Sequence, residues 1–365
     1  MAEAPRVRLR ECIEALPAYR PGRPARPGPD GRAYKLSSNE NPFPPLPGVL
    51  EAVQASCAEM NRYPDAGNLG VGEAVAAMLG GGVSTEHLAF GTGSVAVLFH
   101  ALQAVCDPGD EVVYAWRSFE AYPIGVQLTG ARGVPVPLRP DTTHDLAAMR
   151  AAIGPRTRAV LLCTPNNPTG PTIEHDELVS FVDSVPADVL VIVDEAYVEF
   201  VTDPRATRGL EVWAERPNVM VLRTFSKAYG LAGFRVGYAV AHERVAAALR
   251  GASLPFGVSL PAQAAVVASV QAAGPLLERV RELVAERERV VDSLLELGFR
   301  VPQSQGNFFW LPAGERTGEW AEHFASNGVS GRAYAAGEPS DGVRISIGTP
   351  EANDRVLELA RALPR

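Results

Sequence analysis

Val189-Leu-Val-Ile-Val-Asp194-Glu-Ala-Tyr197 sets an unbroken apolar run directly ahead of Asp-Glu-Ala-Tyr. A strand wetted on one face alternates polar and apolar side chains, whereas a continuous Val/Ile/Leu run suits a strand covered on both faces. Similar runs occur at Leu88–Phe90, Glu111–Tyr114, Gly133–Pro137, Ala159–Cys163, Val219–Leu222 and Val236–Val240. Helix-length segments separate them. The pattern predicts an α/β fold with a mostly parallel seven-stranded sheet flanked by helices.

Leu254-Pro-Phe-Gly257 then reads as a hinge. Two helical stretches follow, Ala262–Ala273 and Leu276–Leu297. The second carries Leu276, Val280, Leu283, Val284, Val291, Leu294 and Leu295 at helical spacing, which predicts a packing stripe. Strands are expected at Phe308–Leu311 and Val343–Ile347, giving a smaller α+β domain. The chain divides into an arm over 1–43, a large domain over 44–256 and a small domain over 257–365. The arm is rich in Pro and Arg from Tyr19 to Gly28 and is assigned to the small domain.

Composition narrows the function. The 365 residues carry a net charge of −8, with 46% hydrophobic and 21% charged residues and no long run of one sign. Nucleic-acid binding is not expected. No apolar stretch approaches the roughly 20 residues that span a bilayer, so no membrane partner is expected either. Glu3, Arg6, Arg8, Arg10 and Glu11 interrupt the first apolar residues, which suits a cytoplasmic chain. Cys12, Cys57, Cys106 and Cys163 stand apart with no C-x-x-C pair, and the six histidines form no H-x-x-x-H pair. Neither a disulfide framework nor a metal site is expected.

The chemistry gathers around Arg223-Thr-Phe-Ser-Lys227-Ala-Tyr-Gly-Leu-Ala-Gly-Phe-Arg235. Lysine forms an imine only as the free amine, and burial beside cations lowers its pKa from near 10 toward about 7–8. Arg235 would supply such a cation while gripping a phosphate in bidentate fashion, and Thr224 and Ser226 could donate to the same phosphate. Asp194 and Tyr197 follow a buried strand and would open into the crevice where α/β sheets bind ligands. A carboxylate there can keep a pyridine nitrogen protonated, making the ring an electron sink. Equally, Asp194 could cap a helix or make a structural pair. Cys163-Thr-Pro-Asn-Asn167-Pro-Thr-Gly170 is a turn at another strand end. Phe90-Gly-Thr-Gly93-Ser94 joins strand to helix, where amides form an anion cradle.

This ordered set resembles the fold-type I aminotransferases that use pyridoxal 5′-phosphate (PLP). It is most similar to the histidinol-phosphate aminotransferase branch, over nearly the whole chain. The resemblance implies that Lys227 binds PLP covalently, with Asp194 at the ring nitrogen and Asn167 and Tyr197 at the ring oxygen. It places Gly93, Ser94, Val95, Thr224, Ser226 and Arg235 around the phosphate. Phe119 aligns with the aromatic that stacks on the ring, though Trp116 competes for that role. Arg62-Tyr63-Pro-Asp matches a motif whose tyrosine reaches the partner subunit's PLP phosphate, implying a homodimer with shared active sites. Tyr19, Asn41, Asn307, Arg332 and Arg344 match substrate-binding positions, with Arg344 pairing the substrate carboxylate or phosphate.

Two departures bear on substrate. Val95-Ala96 replaces residues that are usually acidic, and Ala115-Trp-Arg-Ser-Phe-Glu120 replaces a Pro-Thr-Phe or Pro-Thr-Tyr segment. Both resemble actinobacterial aromatic (phenylalanine) aminotransferases. The implied reaction is ping-pong transamination of an aromatic amino acid with a 2-oxo acid such as 2-oxoglutarate. The alternatives are histidinol-phosphate transamination, a PLP decarboxylase on the same fold, and a non-catalytic regulator.

Overall fold

The computed structural model describes residues 7–16, 22, 24–338 and 340–363. In chain order its strands are β1 (Tyr34–Lys35), β2 (Leu88–Gly91), β3 (Glu111–Trp116), β4 (Arg132–Pro137), β5 (Thr157–Cys163) and β6 (Leu190–Asp194). They continue with β7 (Val219–Thr224), β8 (Gly237–Val240), β9 (Phe308–Pro312), β10 (Val329–Ser330), β11 (Arg332–Tyr334) and β12 (Gly342–Ser346). All seven apolar runs become strands of one sheet, in the order β2-β8-β7-β6-β5-β3-β4. Pairing is parallel from β7 through β6, β5 and β3 to β4, while β8 runs antiparallel to both its neighbours. Every residue of β2, β6 and β8 is buried, as double-sided coverage requires. At the edge, β4 carries Pro135 and Pro137, which cannot donate to a ladder and so belong on an edge strand.

The carboxyl ends of β3, β5, β6 and β7 open on one side of the sheet, where the segments after Trp116, Cys163, Asp194 and Thr224 meet. Beyond the sheet, helices Leu260–Gln271 and Ala273–Glu296 are bent by 82° to one another. Among the described residues no single helix is long and apolar enough to cross a membrane. A three-stranded antiparallel sheet, β11-β12-β9, follows. The N-terminal segment is tied to this part of the chain: β1 and β10 form a separate two-stranded parallel sheet, and the Ser346 amide on β12 donates to the Leu36 carbonyl at 2.8 Å. The two- and three-residue strands β1, β10 and β11 are too short to leave a periodicity in sequence.

The long helix corrects the expected stripe. Leu276, Val280, Leu283 and Leu294 are buried, but Leu295 is 48% exposed, and Arg287 and Val290 fill the inward turns. Arg287 lies inside because carbonyls await it. Its Nη1 donates to Phe200 O (2.9 Å) and Gly306 O (3.2 Å), and its Nη2 to Thr202 Oγ1 (3.3 Å). Burial lowers its pKa to about 10. Truncation to Arg287→Ala would leave those acceptors unpaired and open a void. We expect urea denaturation to show a loss of about 3 kcal/mol of unfolding free energy.

Candidate active site

Lys227 sits in the tight turn after β7, where the Ser226 amide donates to Thr224 Oγ1 at 3.1 Å. Asn41 Nδ2 latches this turn from the arm through Ala228 O (2.9 Å) and Lys227 O (3.3 Å). The Lys227 ammonium donates to Ser38 O at 3.1 Å and lies 5.7 Å from the Tyr197 ring centroid. Burial lowers its pKa to about 7, helped by the Arg344 and Arg235 cations and opposed by Glu40 and Asp194.

Asp194 ends β6 with its carboxylate in the cavity. Tyr122 donates to Oδ2 at 2.9 Å, while Oδ1 is buried without a hydrogen-bond partner among the described residues. Burial raises its pKa to about 6. An orphaned acceptor on such an acid suits a protonated ring nitrogen. Asn166 anchors the neighbouring turn: Nδ2 donates to Arg117 O (3.1 Å) and Thr169 Oγ1 (2.7 Å), and Oδ1 accepts from Ser118 (2.7 Å). Asn167 therefore faces the cavity. Arg344 Nη1 donates to Asn167 Oδ1 at 2.6 Å, which leaves the Asn167 Nδ2 as donor toward a ligand. Tyr197 Oη accepts from Asn39 Nδ2 at 3.0 Å, so its own proton can point elsewhere. Phe119 lines the cavity, edge-on to Tyr122 at 5.7 Å. Trp116 is not among the lining residues and packs against Tyr114.

An anion cradle closes one end. Gly93 adopts φ +85°, and a Cβ there would fall on Arg235 Nη2. A Cβ on Gly237 would likewise strike the Ser94 amide. Only glycine at both positions lets Arg235 and the first turn of helix Ser94–Val105 come this close. Arg235 Nη1 donates to Ser226 Oγ at 3.3 Å, and Ser94, Val95, Thr224 and Ser226 line the same end. The cradle, the orphaned Asp194 oxygen and the low-pKa lysine fit a phosphorylated pyridine aldehyde such as PLP.

Arg344 also lines the cavity and is buried. Besides Asn167 it donates to Tyr334 Oη (3.2 Å) and Ser37 O (2.6 Å). Arg332 also lines the cavity, ion-paired to Glu120. Asn41 and Asn307 are not among the lining residues; Asn307 Nδ2 instead donates to Asn39 O at 3.2 Å. Tyr63 lies on the surface, 81% exposed and stacked on Phe256 at 4.7 Å. Tyr19 falls outside the described residues. Sequence reading did not single out Tyr122, Cys163, Glu120, Tyr334, Ser37 or Ser38. Tyr122 sits one helical turn from Phe119, a spacing that could have suggested it; the two serines act partly through backbone carbonyls, which no side-chain motif marks.

Residues 32–359 match the family model of aminotransferase class I and II. The chain is 55% identical to an aromatic amino acid aminotransferase of Streptomyces avermitilis over 353 residues, covering 96% of each protein. It is 49% identical to one of Thermobifida fusca over 365 residues, covering 100% of this chain and 99% of that protein. The solved histidinol-phosphate aminotransferase of Sinorhizobium meliloti, in complex with PLP, superposes with a TM-score of 0.87 at 27% identity. That match covers 99% of this chain and 100% of the other.

The lysine gives a measurable signature. Between a folded pKa of about 7 and the ordinary 10.5, the unfolded chain keeps a proton that the folded one has lost. The contribution of Lys227 to stability therefore becomes more favourable as pH rises through that window. In cofactor-free protein, arylation of Lys227 followed by peptide mapping should rise with a midpoint near pH 7. A midpoint near that of exposed lysines would sink this account of the site.

Proposed function

The chain belongs to the class I and II aminotransferases, a PLP-dependent family, and we propose that it transfers the amino group of an aromatic amino acid, phenylalanine or a near relative, to 2-oxoglutarate. The observation that carries this reading is the near full-length identity to aromatic amino acid aminotransferases.

Bound PLP supplies an electron sink for negative charge developing at the substrate Cα. Lys227 Nζ, about half deprotonated at neutral pH, would hold PLP covalently and, when free of it, would take and return the substrate Cα proton. Asp194 Oδ1 would accept from the ring nitrogen. Asn167 Nδ2 and the Tyr197 hydroxyl would donate to the ring oxygen, and Phe119 would cover the ring. Arg235, Ser226, Thr224 and the amides of Ser94 and Val95 would hold the phosphate. Arg344 takes the carboxylate of donor and acceptor in turn, so one site serves both halves of a ping-pong cycle. Behind this wall, Asn41 and Asn307 act as positioning residues, holding the Lys227 turn and the Asn39 backbone.

A second reading takes histidinol phosphate as donor. The solved relative of that name supports it, and Arg332 and Arg344 together could hold a phosphate. An aromatic ring needs a mostly apolar slot, whereas a phosphate monoester needs several converging charge-assisted donors. We expect phenylalanine to exceed histidinol phosphate in kcat/KM by about one to two orders of magnitude. The reverse order would make histidinol phosphate the donor.

We further propose a homodimer in which Tyr63 completes the partner's phosphate site. Support comes from the exposure of Tyr63 together with Phe256, 43% exposed, and Met60, 78% exposed. Lys227→Ala and Tyr63→Ala chains should each be nearly inactive. Their random mixture forms half hybrids with one intact site in two, so it should recover about a quarter of wild-type turnover. Hybrids that form without regaining activity would show that Tyr63 does not act in trans.

A further inference from the structure

Amino-group transfer requires one cation for the substrate carboxylate, yet besides Lys227 and Arg235 two arginines of the three-stranded sheet line the cavity. Arg332 on β11 and Arg344 on β12 are register partners on adjacent antiparallel strands, and both line the site. Like charges at opposed cross-strand positions repel. Arg344 is compensated by Asn167 Oδ1, Ser37 O and Tyr334 Oη. Arg332 is compensated by the Glu120 carboxylate, in an ion pair whose side chains are only 11% and 32% exposed.

Glu120 is 212 residues from Arg332 in sequence. It stands at the N-terminus of helix Ala121–Thr129, where an acid commonly caps the first amides, but its side chain makes no capping bond. It turns to Arg332 instead. It also directly follows Phe119, and both line the cavity.

We propose that Glu120 is a specificity-determining residue: by occupying Arg332 it removes a cation from the distal end of the site, selecting uncharged aromatic side chains over donors that carry a phosphate. The proposal rests on the aromatic-donor reading above. A phosphate monoester brings a charge of about −1.5 to −2. To use Arg332, it must displace Glu120 and leave a carboxylate beside its own oxygens, and like charges held together cost affinity. A neutral ring makes no demand on Arg332 and leaves the ion pair intact.

The test measures kcat/KM for histidinol phosphate and for phenylalanine in the holoenzyme, with wild type, Glu120→Gln and Glu120→Ala compared. The readout is the ratio of the two values, which loss of folded protein does not alter. Removing the carboxylate should raise the ratio in favour of histidinol phosphate about ten- to a hundredfold, mainly through KM. Adding Arg332→Ala to Glu120→Gln should cancel most of that rise. A ratio that stays constant or falls in both single variants overturns the role of Glu120. A wild type that already prefers histidinol phosphate overturns the aromatic reading instead, because the shift is read from whatever ratio the wild type shows.

Discussion

A lysine forms an imine only as a free amine, and the fold lowers the pKa of Lys227 to about 7 by burying it beside Arg344 and Arg235. Desolvation alone would do part of this, since taking an ammonium out of water disfavours the charged form. The two guanidiniums add to it. Placing four basic groups, Lys227, Arg235, Arg332 and Arg344, in one cavity is costly unless each meets acceptors. Much of the surrounding structure supplies them: Ser38 O for Lys227, Ser226 Oγ for Arg235, and Asn167 Oδ1 with Ser37 O for Arg344.

Arg344 ties three parts of the chain together at this point. It starts on β12, reaches the turn after β5 at Asn167, and meets the arm at Ser37. A second link runs from Arg117, after β3, to Asp341 at 2.9 Å. Asp341 in turn gathers the amides of Ala336, Gly337 and Glu338. The surroundings of Arg344 and of Asp341 are thus built from segments distant in sequence and joined by charge-assisted hydrogen bonds, which are stronger than neutral ones.

The sheet was legible because buried strands impose unbroken apolar runs, and all seven were visible as such. The structure brings Lys227, Asp194, Asn167 and Ser94 of the Gly-Thr-Gly-Ser turn to one cavity, and all were visible in sequence because each follows an apolar strand run. The packing stripe was read less well. Arg287 was not part of it, because what draws this side chain inside, the carbonyls of Phe200 and Gly306, lies 87 and 19 residues away in sequence. Asn41 and Asn307 were marked as substrate contacts, and their amides turn out to hold backbone carbonyls.

The sequence by itself determined the sheet, the order of the motifs and the identity of the groups that suit PLP. Those depend on local periodicity and on residue type, which a chain displays whether folded or not. Only the tertiary structure decided which arginine is compensated by what. It set Arg332 opposite Arg344, brought Glu120 to one and Asn167 to the other, and left Asp194 Oδ1 without a hydrogen-bond partner among the described residues. Electrostatic character at a site depends on distances between groups remote in sequence and on how far water is excluded from them, and both quantities exist only once the chain has packed.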